Sequence, residues 1–348
     1  MKKNKKDDNI VRKSFFSSII FIIIVIVVFY FIFKDNNYKE VQHMFLSADR
    51  RYIILAILCM SCFSVCEALI LKMGLGALGD KITFKNAYKY ALSGFFVASI
   101  TPSATGGDPM QLYMMSKDKI KISHGAIALL VKLLAYEIVI ISLALIGFIT
   151  HHKIFFTSLG NYKFLAFLGI FLNVFVGTLY FLIVFYKPAV LLLVKLFSKL
   201  LHKIHFKKAD KVTDSLLGHV EEYSKASLYL KKNKKVFISI FLISLTEMVL
   251  FYSIPYLVYL ALGLRGTSIF TFIFVQSMLY VSVSSLPFPG AVGISEGAFM
   301  KIYRTIFPEH ILGSAMIITR FINFYIFVLY AGIMMMGYIV RDNFKDKE

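Results

Sequence analysis

Charge is absent from thirty consecutive residues, 266–295. A run that long and apolar belongs in a bilayer. Inside it, residues 286–296 read Leu-Pro-Phe-Pro-Gly-Ala-Val-Gly-Ile-Ser-Glu, and two prolines and two glycines deny a spanning helix its continuous hydrogen bonding. Interrupted backbone survives at membrane depth only where protein buries it or a wet cavity solvates it, so the break points to function. Cysteine is scarce too. Cys59, Cys62 and Cys66 share one apolar segment and, at i, i+3 and i+7, one helical face. No second Cys or His pair follows at ligand spacing, so they imply no disulfide framework and read as packing residues rather than redox or zinc ligands. His151-His152 and His202/His205 lack partner sets, and neither a metal nor a cofactor is expected. Phosphate-loop, nucleophile-elbow, zinc-protease and dinucleotide fingerprints are missing as well.

What is present is hydrophobic. The chain is 58% apolar, against roughly 45–50% in soluble domains, with a mean hydropathy of +0.72. The net charge of +19 resides in lysine clusters flanking apolar runs. That pattern fits positive-inside topology and attraction to anionic lipid better than nucleic-acid binding. The expected class is an all-α integral membrane protein of the cell membrane. Its basic tail (1–13) precedes a polytopic domain (14–340), and both termini are cytoplasmic. Twenty uncharged residues, 14–33, are too long for a cleaved signal and read as a first spanning helix. Further spans are expected at 52–71, 122–150, 164–186, 236–262 and 311–340, with a short cytoplasmic tail at 341–348.

Residues 187–235 carry twelve lysines against four acids. They form a basic connector whose first part, with Lys195, Lys199 and Lys203 in one stripe, should lie on the inner leaflet. This placement decides the rest of the topology. If 90–115 crossed the membrane fully, the connector would fall outside. If 90–115 enters and returns, every lysine cluster falls inside. The segment therefore reads as re-entrant, and by the same parity so does 269–303, from the opposite face.

Each half then has the same order. A helix with an acid (Glu67; Glu247) precedes a proline break (Pro102; Pro287), and a helix with a base (Lys132; Arg320) follows. The expected architecture is two inverted repeats with discontinuous helices and a site at the midplane. Glu67, Asp108, Lys132, Glu137, Glu247, Glu296 and Arg320 would together cost roughly 20 kcal/mol in a bilayer if unpaired, so they should face one another or water. Glu67, near a helix end, has snorkelling as an alternative. At the breaks, Asp108 reads as an N-cap before Pro109, and Ser295 as an N-cap before Glu296. Gly106, Gly107, Gly290 and Gly293 allow close backbone approach there. Pro102, Pro287, Pro289, Lys132 and Arg320 complete the candidate substrate site, with Glu67, Glu137 and Glu247 supporting it. An anion, a proton and a cationic head group all remain open as ligands of these helix ends.

The two broken segments, Thr101-Pro102…Gly106-Gly107-Asp108-Pro109 and Leu286-Pro287-Phe288-Pro289-Gly290…Gly293…Glu296, resemble the flippase-like membrane domain of lysylphosphatidylglycerol synthetases. That family often has an arginine just after the first turn, where Met110-Gln111-Leu112 stands here. The resemblance implies the lipid-handling half, since residues 187–235 are too short for a transferase domain. The implied activity is translocation of an anionic or aminoacylated phospholipid, linked to membrane charge and resistance to cationic peptides. Alternatives are a phosphatidylglycerol lysyltransferase, a membrane partner of a separate synthetase, and a small-molecule or ion transporter. Expected partners are the phospholipid, anionic inner-leaflet lipids, a separate synthetase and a second copy of the chain, but no nucleic acid.

Overall fold

The computed structural model describes residues 38–101, 104–159, 163–203, 233–284 and 293–345, with scattered positions between 204 and 232. The expected first span at 14–33 lies outside the described residues. Among those described there is no β-strand. The helices are α1 (Tyr38–Ser47), α2 (Arg50–Ala77), α3 (Phe84–Ile100), α4 (Gly107–Lys117), α5 (Ile122–Leu159), α6 (Lys163–Phe185), α7 (Lys187–Lys203), α8 (Lys234–Ala261), α9 (Ile269–Val283), α10 (Ile294–Ile302), α11 (Glu309–Arg320) and α12 (Ile326–Lys345). A π-helical turn, Phe321–Tyr325, joins the last two into one rod.

Five described stretches are long and apolar enough to cross a membrane: Arg50–Ala77, Ile122–Ile154, Ala166–Phe185, Lys234–Ala261 and Glu309–Tyr338. Each overlaps in residue range one of the spans expected in this part of the chain. On α6 the exposed phenylalanines Phe164, Phe167, Phe171 and Phe175 recur every three or four residues, which gathers them on one face. Such a face suits lipid and not water. Short polar caps set the helix starts. The Asp49 carboxylate accepts the Arg51 amide at 2.9 Å, the Thr83 hydroxyl accepts the Asn86 amide at 3.3 Å, and Ser268 accepts Phe270 at 3.2 Å.

Helices α2 and α8 pack along each other. The main core gathers beside them, with Met60, Ile254, Val258, Phe272, Tyr303 and Ile318 all buried. Two helical hairpins flank this pair. In the first, α4 folds back on α3. A side chain at Gly107 would collide with Ala98, and one at Gly94 with Gln111, so the two helices touch almost backbone to backbone. Lys89 and Tyr90 grip Asp118 at the hairpin's open end, at 2.7 Å and 2.5 Å. The pairing of 98 with 107, 94 with 111 and 90 with 118 is antiparallel.

The second hairpin pairs α9 with α10. The Tyr303 hydroxyl donates to Gln276 at 2.8 Å, and its ring lies 5.7 Å from that of Phe272. Helix α9, fifteen residues long, rises only about 22 Å, short of a hydrocarbon core of about 30 Å. Each hairpin also packs on the opposite half: α3 against α12, and α9 against α5 and α6.

Candidate functional site

The break after α3 is organised by Thr101. Its hydroxyl donates back to the Val97 carbonyl at 2.9 Å and accepts the Gly106 amide at 3.0 Å. Ala104 sits in the left-handed region (φ 56°) within the same turn. The helix that follows is capped by Gly106, two residues earlier than the sequence suggests. Asp108 is therefore not the N-cap but lies inside the first turn. That shift frees its carboxylate to reach across to α5.

Lys132 on α5 is the centre of the first polar cluster. Its ammonium donates to Glu67 Oε1 at 3.0 Å, Asp108 Oδ1 at 2.9 Å and Gln111 Oε1 at 3.0 Å. Gln111 Nε2 donates in turn to Glu67 Oε1 at 2.6 Å. Three helices, α2, α4 and α5, are thus tied through one lysine. Glu67 does not snorkel. It is turned inward and 14% exposed, because the partner that discharges it lies inside the bundle.

The second cluster is built at the end of α11, just before the π turn. Arg320 Nε donates to Glu296 Oε1 at 2.6 Å, and its Nη2 to Ser295 Oγ at 2.7 Å. The guanidinium also lies 5.0 Å from the centre of the Phe324 ring. Here too the expected cap is corrected. Gly293, at φ 86°, is the N-cap, so Ser295 is helical, and Glu296 turns back to accept the Gly293 amide at 2.6 Å. Only a residue without a Cβ takes that φ without strain. At both breaks the acid of the first turn occupies the positive helix end, and the neighbouring base pairs with it.

These clusters border two contiguous cavities. One, of about 530 Å³, is lined by Glu67, Asp108, Gln111, Lys132, Glu137 and Glu247, with Asn173 and Tyr180. The other, of about 260 Å³, is lined by Ser295, Glu296, Thr319, Arg320 and Asn323. Phe63, Ala98, Ala104, Tyr280 and Ser284 border both. Tyr136 and Tyr280, joined hydroxyl to hydroxyl at 2.5 Å, stand on the shared wall. At Glu247 the two halves differ. This acid does not join Arg320 but faces the Lys132 chamber, because α8 packs along α2 and turns both acids to the same side.

Pro102, Pro287, Pro289 and Gly290 lie outside the described residues. The other predicted residues, Gly106, Gly107, Asp108, Lys132, Gly293, Glu296, Arg320, Glu67, Glu137 and Glu247, all sit at or beside the two cavities or in the turns that shape them. Sequence reasoning missed Gln111, Ser295 as a ligand of Arg320, the tyrosine pair, and Asn173. Asn173 Nδ2 donates to the Val281 carbonyl at 2.7 Å, and its Oδ1 accepts from Ser284 at 3.2 Å, closing the end of α9. A lone asparagine amid the apolar residues of α6 was the available signal. Among the described residues no cluster of metal-ligating side chains is present.

A family model described as the lysylphosphatidylglycerol synthase TM region matches residues 18–331, nine-tenths of the chain. The chain belongs to this family. Two relatives, each called a UPF0104 membrane protein, are 25% identical to it. The protein from Archaeoglobus fulgidus aligns over 315 residues, 90% of this chain and 94% of its own. That from Pyrococcus horikoshii aligns over 302 residues, 84% and 89% respectively. Membership fits the fold. The matched region is by its description a membrane region, and the described residues are all-α with five stretches long and apolar enough to span a bilayer.

Proposed function

We propose that this protein moves a phospholipid, anionic or aminoacylated, between the leaflets of the cell membrane. Its head group would occupy the joined cavities, between two hairpins that enter from opposite faces. The observation that carries this reading is the pair of broken hairpins whose ion pairs, Lys132 with Glu67 and Asp108, and Arg320 with Glu296, border adjoining cavities. Discontinuous helices of this kind build midplane substrate sites in transporters made of inverted repeats. The packing supports such a repeat. Hairpin α3–α4 leans on α12 of the second half, hairpin α9–α10 leans on α5 of the first, and α2 and α8 meet between them.

In this reading the lysine-rich sides, including α7 with its exposed Lys195, Lys199 and Lys203, face the cytoplasm with both termini. The exposed leucines of the same helix, Leu192, Leu196 and Leu200, would sit among inner-leaflet acyl chains. Altered surface charge and resistance to cationic peptides follow as cellular consequences of lipid movement.

The test is reconstitution into vesicles carrying fluorescent phosphatidylglycerol or its lysyl ester in one leaflet. Wild type should accelerate exchange between leaflets, and Glu296→Gln and Arg320→Ala should slow it at least tenfold. Equal rates for all three would remove the transport reading. New aminoacyl lipid in cells expressing this chain alone would favour a lysyltransferase instead. Co-purification with a synthetase in the absence of any exchange would favour a membrane partner.

A further inference from the structure

The larger chamber is electrically lopsided. Four carboxylates, Glu67, Asp108, Glu137 and Glu247, face one ammonium, that of Lys132. Glu67 and Asp108 are already engaged by it. Glu137 is a different case. Only 8% of it is exposed, it lines the chamber, and its Oε2 is buried without a hydrogen-bond partner. The Ser244 hydroxyl, wholly buried on α8 three residues before Glu247 and lining the same chamber, also lacks a partner. A buried, unpartnered carboxylate oxygen calls for an explanation, because an isolated charge in such surroundings is discharged rather than tolerated.

We propose that this chamber is a proton-binding site, in which Glu137 and Glu247 take up protons when no cation occupies the chamber and release them when one enters. The proton comes from bulk water and returns to it. Bound to Glu137, it turns an unpartnered acceptor into a hydroxyl donor. The groups facing Glu137 come from every neighbouring helix: Glu67 from α2, Asp108 from α4, Tyr180 from α6, Glu247 and Tyr252 from α8, and Tyr280 from α9. Lys132 and Tyr136 lie on its own helix, and Glu296 of α10 is already held by Arg320. Among the described residues Lys132 is the positive charge lining the chamber, and it is shared between two other acids. For a lipid carrier, proton and cationic head group would then exclude one another, which couples lipid movement to a proton gradient. That coupling rests on the function proposed above, whereas the proton site does not.

The experiment is infrared difference spectroscopy of the whole protein in lipid nanodiscs, titrated from mildly acidic to mildly alkaline buffer. Surface carboxylates lose their protons near pH 4, well below this window. Wild type should show a protonated-carboxyl band that disappears as pH rises. The band should weaken in Glu137→Gln and in Glu247→Gln, and vanish in the double variant. Glu309→Gln, an exposed carboxylate paired with Arg304, should leave it unchanged. No band at any pH in the window, or a band that survives the double substitution, overturns the proposal. A band that weakens at constant pH when sodium chloride replaces choline chloride is the expected proton release on entry of a small cation. Loss of lipid exchange with the band intact would sink the transport reading and leave the proton site standing.

Discussion

Replacing Lys132 with methionine keeps the length of the side chain and removes its charge. The lysine is 13% exposed and donates to Glu67, Asp108 and Gln111 at 2.9–3.0 Å, so its loss leaves two carboxylates facing each other across a partly desolvated gap. Removing one member of a buried ion pair costs about 3–5 kcal/mol. Asp108 is 36% exposed and regains some hydration, which places the expected loss near the lower end, about 3 kcal/mol. Thermal unfolding in nanodiscs should show this as a clear drop in midpoint. The compensated variant Lys132→Met with Glu67→Gln and Asp108→Asn removes the stranded charges as well. It should recover most of the stability, because neutral replacement of a whole buried cluster is often benign. Lipid exchange should stay impaired in it if the cluster serves the substrate. A Lys132→Met protein as stable as wild type would refute the claim that the cluster is desolvated. A compensated variant exchanging lipid at the wild-type rate would show that the cluster only holds helices together.

Three further outcomes are expected. A double-mutant cycle with Arg320→Ala and Glu296→Gln should give a coupling of about 1–3 kcal/mol in unfolding experiments, and additivity would mean the 2.6 Å contact carries no energy. Asn173→Leu should cost about 1–3 kcal/mol in thermal unfolding by stranding the Val281 carbonyl, and a neutral result would mean another donor reaches it. In a background with the three native cysteines changed to serine, single cysteines at Lys81 and Lys117 should react with a membrane-impermeant maleimide from one side of the membrane, and those at Arg265 and Arg304 from the other. Labelling of 81 and 117 from opposite sides would mean that α3–α4 crosses the bilayer instead of returning.

The spans were legible because a bilayer imposes one requirement, some twenty apolar residues, that lysine-flanked runs such as 236–262 announce plainly. The hairpins were legible for the opposite reason. Proline and glycine within apolar sequence violate that requirement, and at the first such break α4 folds back on α3. Cap positions were not legible to one residue. Asp108 and Ser295 are good N-caps by type, yet Gly106 and Gly293 take those places, and the acids are drawn into ion pairs with Lys132 and Arg320. Tertiary charge pairing outweighs local capping preference where water is scarce. Glu247 was matched to Arg320 by order along the chain, but which chamber it faces depends on how α8 rotates against α2, and no local signal encodes that rotation. Gln111 and Asn173 carry no charge, so a search for membrane-buried charges passes over them although they satisfy the same physical need.

The electrostatics of the site also bear on which lipid it would carry. Each cation at the cavities is already neutralised: Lys132 by two carboxylates, Arg320 by Glu296 and the Ser295 hydroxyl. A purely anionic head group must therefore displace a protein carboxylate before it gains a counterion. An aminoacylated head group brings its own ammonium, which the acid-rich chamber accepts without breaking an existing pair, while its phosphate remains free to lie nearer Arg320. On the proposed reading the lysyl ester should compete for the site at least tenfold better than phosphatidylglycerol, a difference of about 1.4 kcal/mol. Charge reversal at one position checks the argument from the other direction: Glu247→Lys should invert or abolish the preference. Equal competition by the two lipids in wild type would show that the chamber's negative charge is not what the head group meets.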